Sequence, residues 1–74
     1  MLKAFKAFLN GPAYGSNDDS LGKEALRLKE LVDLPSDAQF STRKHVAEKI
    51  RNIHWDHRAL QSCAEQCAQE LEQD

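Results

Sequence analysis

Two cysteines and two histidines lie close together in the second half of the chain, and these residue types bind transition metals. Cys63 and Cys67 are four residues apart, and His54 and His57 precede them. Zinc takes four such ligands. Residues four apart share a helix face, whereas His57 and Cys63 are six apart and do not, so one helix cannot direct all four side chains at one ion. We therefore predict no metal and expect both cysteines to pack as small apolar side chains. A zinc ion shared between chains is the alternative.

The residue types of a catalytic site are also present, but no catalytic motif surrounds them. On a helix, the segment 54–57 is too compact to align a nucleophile, a base and an acid. The three glycines are scattered over residues 11–22 and do not form a loop that cradles phosphate. We therefore expect no enzyme, no catalytic residue and no cofactor.

Trp55 is the side chain whose type and neighbours most strongly suggest binding. On a continuous helix, Arg51 lies four residues before it and Arg58 three after it, with Lys44 further along the same face. A tryptophan between two arginines resembles the composition of a binding hot spot. The same group would suit stacking on a base with phosphate contacts. We predict that these four residues form an exposed partner-binding face; the alternative is that the N-terminal helix covers Trp55.

The elements that must position these side chains are helices, and the C-terminal half carries the clearest pattern. Residues 43–74 contain no proline or glycine. Their apolar positions recur at spacings that alternate between four and three, which is typical of helices packed lengthwise. We predict one long helix over about 40–72, with a possible break near Ser41. Its predicted seam is Val46, Ile50, Ile53, His57, Leu60, Ala64, Cys67 and Leu71.

His57 is the strongly polar member of this seam. A single polar residue in a seam often sets register and oligomeric state. We expect a packed, hydrogen-bonded imidazole, and a pH-sensing role is the alternative.

The N-terminal half predicts two shorter helices. Apolar side chains at helical spacing predict a helix over about 2–9, and the turn-forming residues of 10–19 predict a loop in which Tyr14 packs onto the core. A second amphipathic stripe predicts a helix over about 20–33, which a turn at 34–37 ends because Pro35 disfavours helix before it. The predicted fold is all-α: a single domain, residues 1–74, forming a helical hairpin or bundle.

Helix lengths indicate that the seam needs a further chain to cover it. At 1.5 Å per residue, the predicted long helix spans roughly 46 Å and the second helix only about 20 Å. The basic segment 40–58 holds five Lys or Arg against two acids, and residues 59–74 hold four acids and no base, so antiparallel copies would attract. We therefore predict a coiled-coil homo-oligomer, with a dimer favoured.

The composition points to a cytoplasmic protein. Two cysteines do not make a disulfide framework, and the apolar N-terminal stretch is interrupted by Lys3 and Lys6 and is far shorter than a membrane span.

The leading functional hypothesis is a non-enzymatic adaptor or inhibitor that binds another protein through an exposed helix face. The alternative is binding of nucleic acid or a nucleotide through the basic segment 43–58, which steep salt dependence would distinguish.

Overall fold

The computed structural model of the protein describes residues 2–11 and 19–73. Within these ranges the chain forms four helices: α1 (Lys3–Leu9), α2 (Asp19–Val32), α3 (Phe40–Asn52) and α4 (Arg58–Leu71). No strand occurs in the described ranges, and the all-α class is confirmed. Tyr14 lies outside the described residues, so its packing onto the core stays a prediction.

Helix α4 is the centre of the fold, because α1, α2 and α3 all pack against it. Its buried positions recur at helical spacing and form a stripe wider than a narrow coiled-coil seam. Most of them are alanine or cysteine, which lets neighbouring helices approach closely. The buried residues of α4 are Leu60, Cys63, Ala64, Cys67, Ala68 and Leu71.

The predicted single helix over 40–72 is wrong, because the chain leaves the helix at residues 53–57, which we call the hinge. Ile53 and His57 have extended backbones, with ψ angles of 136° and 126°. After the hinge, α4 runs back along α3: Arg43 reaches the carbonyl of Leu71, and Arg51 reaches Glu65. The two helices are therefore an antiparallel hairpin within one chain. The physical reason is that none of the residues from Asn52 to His57 is a strong helix former.

Trp55 fixes the hinge, and its predicted outward position is wrong. Only 4% of the residue is exposed. Its indole N–H donates at 3.2 Å to the carbonyl of Ile50, near the end of α3, and the same carbonyl also accepts the backbone N–H of Ile53. The amide of Gln61, in α4, donates to the carbonyl of Trp55 at 2.6 Å. The tryptophan thus holds the end of one helix against the start of the next.

The first helix is held by a carboxylate from α4. Leu2, which precedes α1, has no side chain that can cap a helix. Glu70 supplies the cap instead, accepting the backbone N–H groups of Lys3 at 3.1 Å and Ala4 at 2.8 Å. Because both of the buried side chains of α1 are phenylalanines, the helix is attached by apolar burial and by this cap together.

Arg43 holds the other end of the hairpin. Its guanidinium donates to the carbonyls of Leu71 at 3.3 Å and Gln73 at 2.5 Å, at the C-terminal end of α4. A positive charge is favourable there because helix carbonyls leave a partial negative charge at that end. The same guanidinium lies 5.3 Å from the ring centroid of Phe40, a cation–π distance.

Replacement of Trp55 by alanine tests the hinge. We expect Trp55→Ala to lower the free energy of unfolding by about 3–5 kcal/mol, the usual cost of truncating a buried aromatic side chain. Trp55→Phe keeps most of the apolar volume and loses the bond to Ile50, so it should cost about 1–2 kcal/mol. Urea denaturation followed by far-ultraviolet dichroism measures both. An unchanged unfolding midpoint in Trp55→Ala would show that the indole does not hold the hinge.

Candidate functional site

The predicted partner-binding face does not form as one surface. Trp55 belongs to the core, and Arg51 is engaged within the chain. The guanidinium of Arg51 lies between two carboxylates of α4, with an ion pair to Glu72 and another to Glu65 at 3.4 Å. The hydrogen bond that Arg51 donates to Glu72 is the main cause of a raised pKa for Arg51. Lys44 and Arg58 are exposed, but on different helices.

The predicted oligomer seam is divided by the hinge. Ile50 and all the α4 members, Leu60, Ala64, Cys67 and Leu71, are buried within the single chain. Val46 is half-buried on α3, and Ile53 and His57 lie in the hinge rather than in a helix. The one-helix geometry from which the uncovered seam was predicted is therefore wrong, since the chain covers most of that apolar surface itself.

The two cysteines lie under α1. Both are buried, their sulfur atoms are 3.9 Å apart, and the thiol of Cys63 donates to the carbonyl of Ala4 at 3.6 Å. Their mutual hydrogen bond lowers the pKa of Cys63, and the same bond together with burial raises the pKa of Cys67. In the described part of the chain, no three His, Cys, Asp or Glu side chains converge on a possible metal position.

A cluster of polar side chains joins α2 to the hinge. One carboxylate oxygen of Glu24 accepts the backbone N–H of Asp56 at 2.8 Å. The other accepts the backbone N–H of His57 at 3.3 Å and lies 2.6 Å from Nδ1 of the same imidazole. On its other side, Nε2 of His57 lies 3.2 Å from the hydroxyl of Ser20. The arrangement is a continuous relay from serine through histidine to glutamate, which we call the Ser20 relay.

His57 therefore does not occupy the apolar seam position that its spacing predicted. Its side chain is 25% exposed, and it is paired with a carboxylate of the same chain. The negative charge of Glu24 also lies at the N-terminal end of α4, where it is favourable because the helix N–H groups point towards it. One carboxylate thus caps the returning helix and orients the imidazole.

Glu24 is ionised at neutral pH. Burial alone would raise its pKa, since its side chain is only 17% exposed. The hydrogen bonds from the His57 imidazole and from the backbone N–H groups of Asp56 and His57 act in the opposite direction, and the net result is a pKa below the ordinary value. The carboxylate form is therefore the one that the fold stabilises.

A second feature is an open cleft of about 500 Å³ between α2 and α3. Leu31 and Ile53 supply its apolar side chains, and both are half-buried. The basic side chains of Arg27 and Lys49 also line the cleft, one from each helix. Glu30 and Asn52 complete the lining. We call this feature the α2–α3 cleft.

Sequence reasoning missed Ser20, Glu24, Arg27 and Lys49 as site residues. Ser20 and Glu24 are four apart on a helix, so their shared face was visible. Nothing in the sequence indicated that His57 would lie across that face, because the chain reversal was not predicted. The same reversal brings Ile53 beside α2 and forms one end of the cleft.

Comparison with protein-family models, with curated proteins and with solved structures finds no match for this chain. No helix in the described ranges is long and apolar enough to cross a membrane.

The acid response of the fold tests the Glu24 cap. A carboxyl group with a lowered folded pKa stabilises the fold above its unfolded pKa, about 4.3 for glutamate, and that stabilisation is lost as the pH falls through the folded value. Wild type should therefore lose stability between about pH 5 and pH 3. At pH 7, Glu24→Gln should be less stable by about 1–2 kcal/mol, and its acid loss should be smaller.

Urea midpoints at pH 7, 5 and 3.5 measure this difference, and Glu30→Gln is the matched control because Glu30 is exposed on the same helix. If Glu30→Gln reduces the acid loss as much as Glu24→Gln does, the loss comes from general charge effects and not from the cap.

Proposed function

We propose that this chain is a small helical interaction protein, an adaptor or inhibitor, which binds a segment of another protein in the α2–α3 cleft without a chemical step. The observation that supports the proposal is a cleft lined by an apolar side chain from α2, an apolar side chain from the hinge, and a basic side chain from each of the two helices. Protein-binding patches commonly combine an apolar centre with arginine at the rim. A cleft of about 500 Å³ also falls in the range of ordinary binding sites, roughly 300–1,000 Å³.

The two walls of the cleft are held by the core, which favours a preformed site. The inner face of α2 is fixed by Leu21, Ala25 and Leu28, all buried. The position of α3 is fixed by its ion pairs and hydrogen bonds to α4 through Arg43 and Arg51. A rigid site loses less conformational entropy on binding than a mobile one.

Charge reversal at the cleft tests this proposal. Peptides selected against wild type from a random phage-displayed library should bind at the cleft, and Arg27→Glu should weaken them at least tenfold, which corresponds to about 1.4 kcal/mol. Lys29→Glu is the matched control, since Lys29 is exposed on α2 and does not line the cleft. Fluorescence anisotropy gives the three affinities. Equal losses in the two variants would place the binding surface elsewhere on α2.

Nucleic-acid binding is the second candidate, supported by the exposed basic side chains of α3. Lys44, His45 and Lys49 are exposed, and Arg27 lies across the cleft from Lys49. Against it, α2 and α3 are separated by residues 33–39, longer than the three or four residues of a helix-turn-helix turn. Affinity for a labelled duplex that falls steeply with salt and is lost in Lys44→Glu would favour this function over protein binding.

Self-association is part of the proposal, but a different surface now supports it. Among the described residues, Leu26 and Phe40 are the large apolar side chains that remain exposed, at 54% and 40%. Leu26 lies on the outer face of α2, where a second copy could cover it. Light scattering at high micromolar concentration should give a mass of at least two chains, and Leu26→Glu should reduce it to one. A one-chain mass for wild type would contradict self-association and leave the cleft proposal standing.

A further inference from the structure

The Ser20 relay has the connectivity of a nucleophilic catalytic triad. A serine hydroxyl lies within hydrogen-bond distance of one imidazole nitrogen, 3.2 Å, and a carboxylate lies 2.6 Å from the other. A nucleophile, a base in reach of it, and a third group that orients the base are the diagnostic arrangement for covalent catalysis. Ser20 and His57 are 37 positions apart along the chain, and Glu24 and His57 are 33 apart. The three residues therefore do not form a linear sequence motif.

The charge of Glu24 assigns the proton on His57. An ionised carboxylate only accepts hydrogen bonds, so Nδ1 carries a proton and donates a hydrogen bond to Glu24. In the neutral imidazole Nε2 is then an acceptor, and the Ser20 hydroxyl is the donor to it. This is the tautomer in which histidine can take the serine proton.

Glu24 is fixed well enough to hold the imidazole in place. Besides Nδ1 it accepts the backbone N–H groups of Asp56 and His57, which leave its carboxylate little freedom to rotate. A hinge that needed only an anchor would be served by these contacts alone. The second imidazole nitrogen lies 3.2 Å from the hydroxyl of Ser20, a side chain that can act as a nucleophile.

A substrate can reach this serine. Ser20 is exposed, and the His57 side chain keeps a quarter of its surface open.

We propose that Ser20, His57 and Glu24 form an acyl-transfer site that hydrolyses carboxylic esters, an activity that goes beyond the docking function. The Ser20 oxygen bonds to the ester carbonyl carbon as its proton passes to Nε2 of His57. The tetrahedral intermediate then breaks the bond to the leaving alcohol, which takes that proton. Water attacks the acyl-serine in the same way, so the acid is released and the serine hydroxyl is restored. Glu24 orients the imidazole and stabilises its positive charge without taking the proton.

Labelling with a fluorophosphonate probe tests the site, because the probe reacts with serines that an adjacent base activates. The chain provides its own control in Ser41. It is exposed and is the second residue of α3, as Ser20 is the second residue of α2, but it lies outside the relay. Peptide mass spectrometry of the labelled wild-type protein compares the two serines in one molecule, so no variant has to fold for this comparison.

We expect Ser20 to be labelled at least a hundredfold faster than Ser41, the lower end of the usual effect of general base catalysis. Hydrolysis of 4-nitrophenyl acetate should fall by a similar factor in Ser20→Ala and be unchanged in Ser41→Ala. His57→Gln should also lose the labelling, and dichroism checks that the variant is folded. Equal labelling of the two serines, or ester hydrolysis that survives in Ser20→Ala, would overturn the proposal and leave the relay as an anchor for the hinge. Neither result bears on peptide binding at the cleft.

Discussion

The hinge at residues 53–57 is the constraint on which the rest of the structure depends. It converts a run of apolar positions that could lie along one rod into two antiparallel helices that bury those positions against each other. Trp55 holds the end of α3 through Ile50, and Glu24 holds the start of α4 through two backbone N–H groups. Without this reversal Arg43 could not reach the end of α4, and α2 would have no groove in which to lie. The hinge thus allows the apolar positions of the sequence to be buried within one compact chain.

The charged side chains compensate for a small core by capping helices across the fold. Glu70 caps α1 from α4, Glu24 caps α4 from α2, and Arg43 satisfies the last carbonyls of α4 from α3. Each bond joins residues at least 28 positions apart in the sequence, so it stabilises tertiary structure as well as a helix end. A chain of 74 residues buries a smaller fraction of its surface than a larger domain does, and such cross-element bonds contribute where apolar area is limited.

The sequence predicted the limits of the first two helices and which side of them is apolar, but it did not predict where the chain reverses direction. Helix α1 and helix α2 begin and end within a residue of the expected positions, because glycine, proline and capping residues mark their limits. The hinge carries no glycine or proline, and the heptad spacing continues through it, so periodicity alone favoured a continuous helix. A weaker signal was available: β-branched, aromatic and short polar residues follow one another from Asn52 to His57, and their combined cost in a helix is about 3 kcal/mol. The burial of one tryptophan, which contributes about 3–5 kcal/mol, acts in the same direction and favours the hinge further.

Both candidate sites follow from the docking of α2 against the hinge. The N-terminal half of α2 places Ser20 and Glu24 beside His57, and its C-terminal half places Arg27 and Leu31 beside Ile53. Two hinge residues that are four positions apart thus belong to different sites: His57 is the base of the Ser20 relay, and Ile53 supplies apolar surface to the cleft. Neither site could be predicted from α2 or from the hinge alone, since each needs the other element across from it. The side chains that define the sites, Ser20 and Arg27, are exposed and lie outside the apolar stripe that docks α2. Their chemistry can therefore change without loss of the packing that positions them.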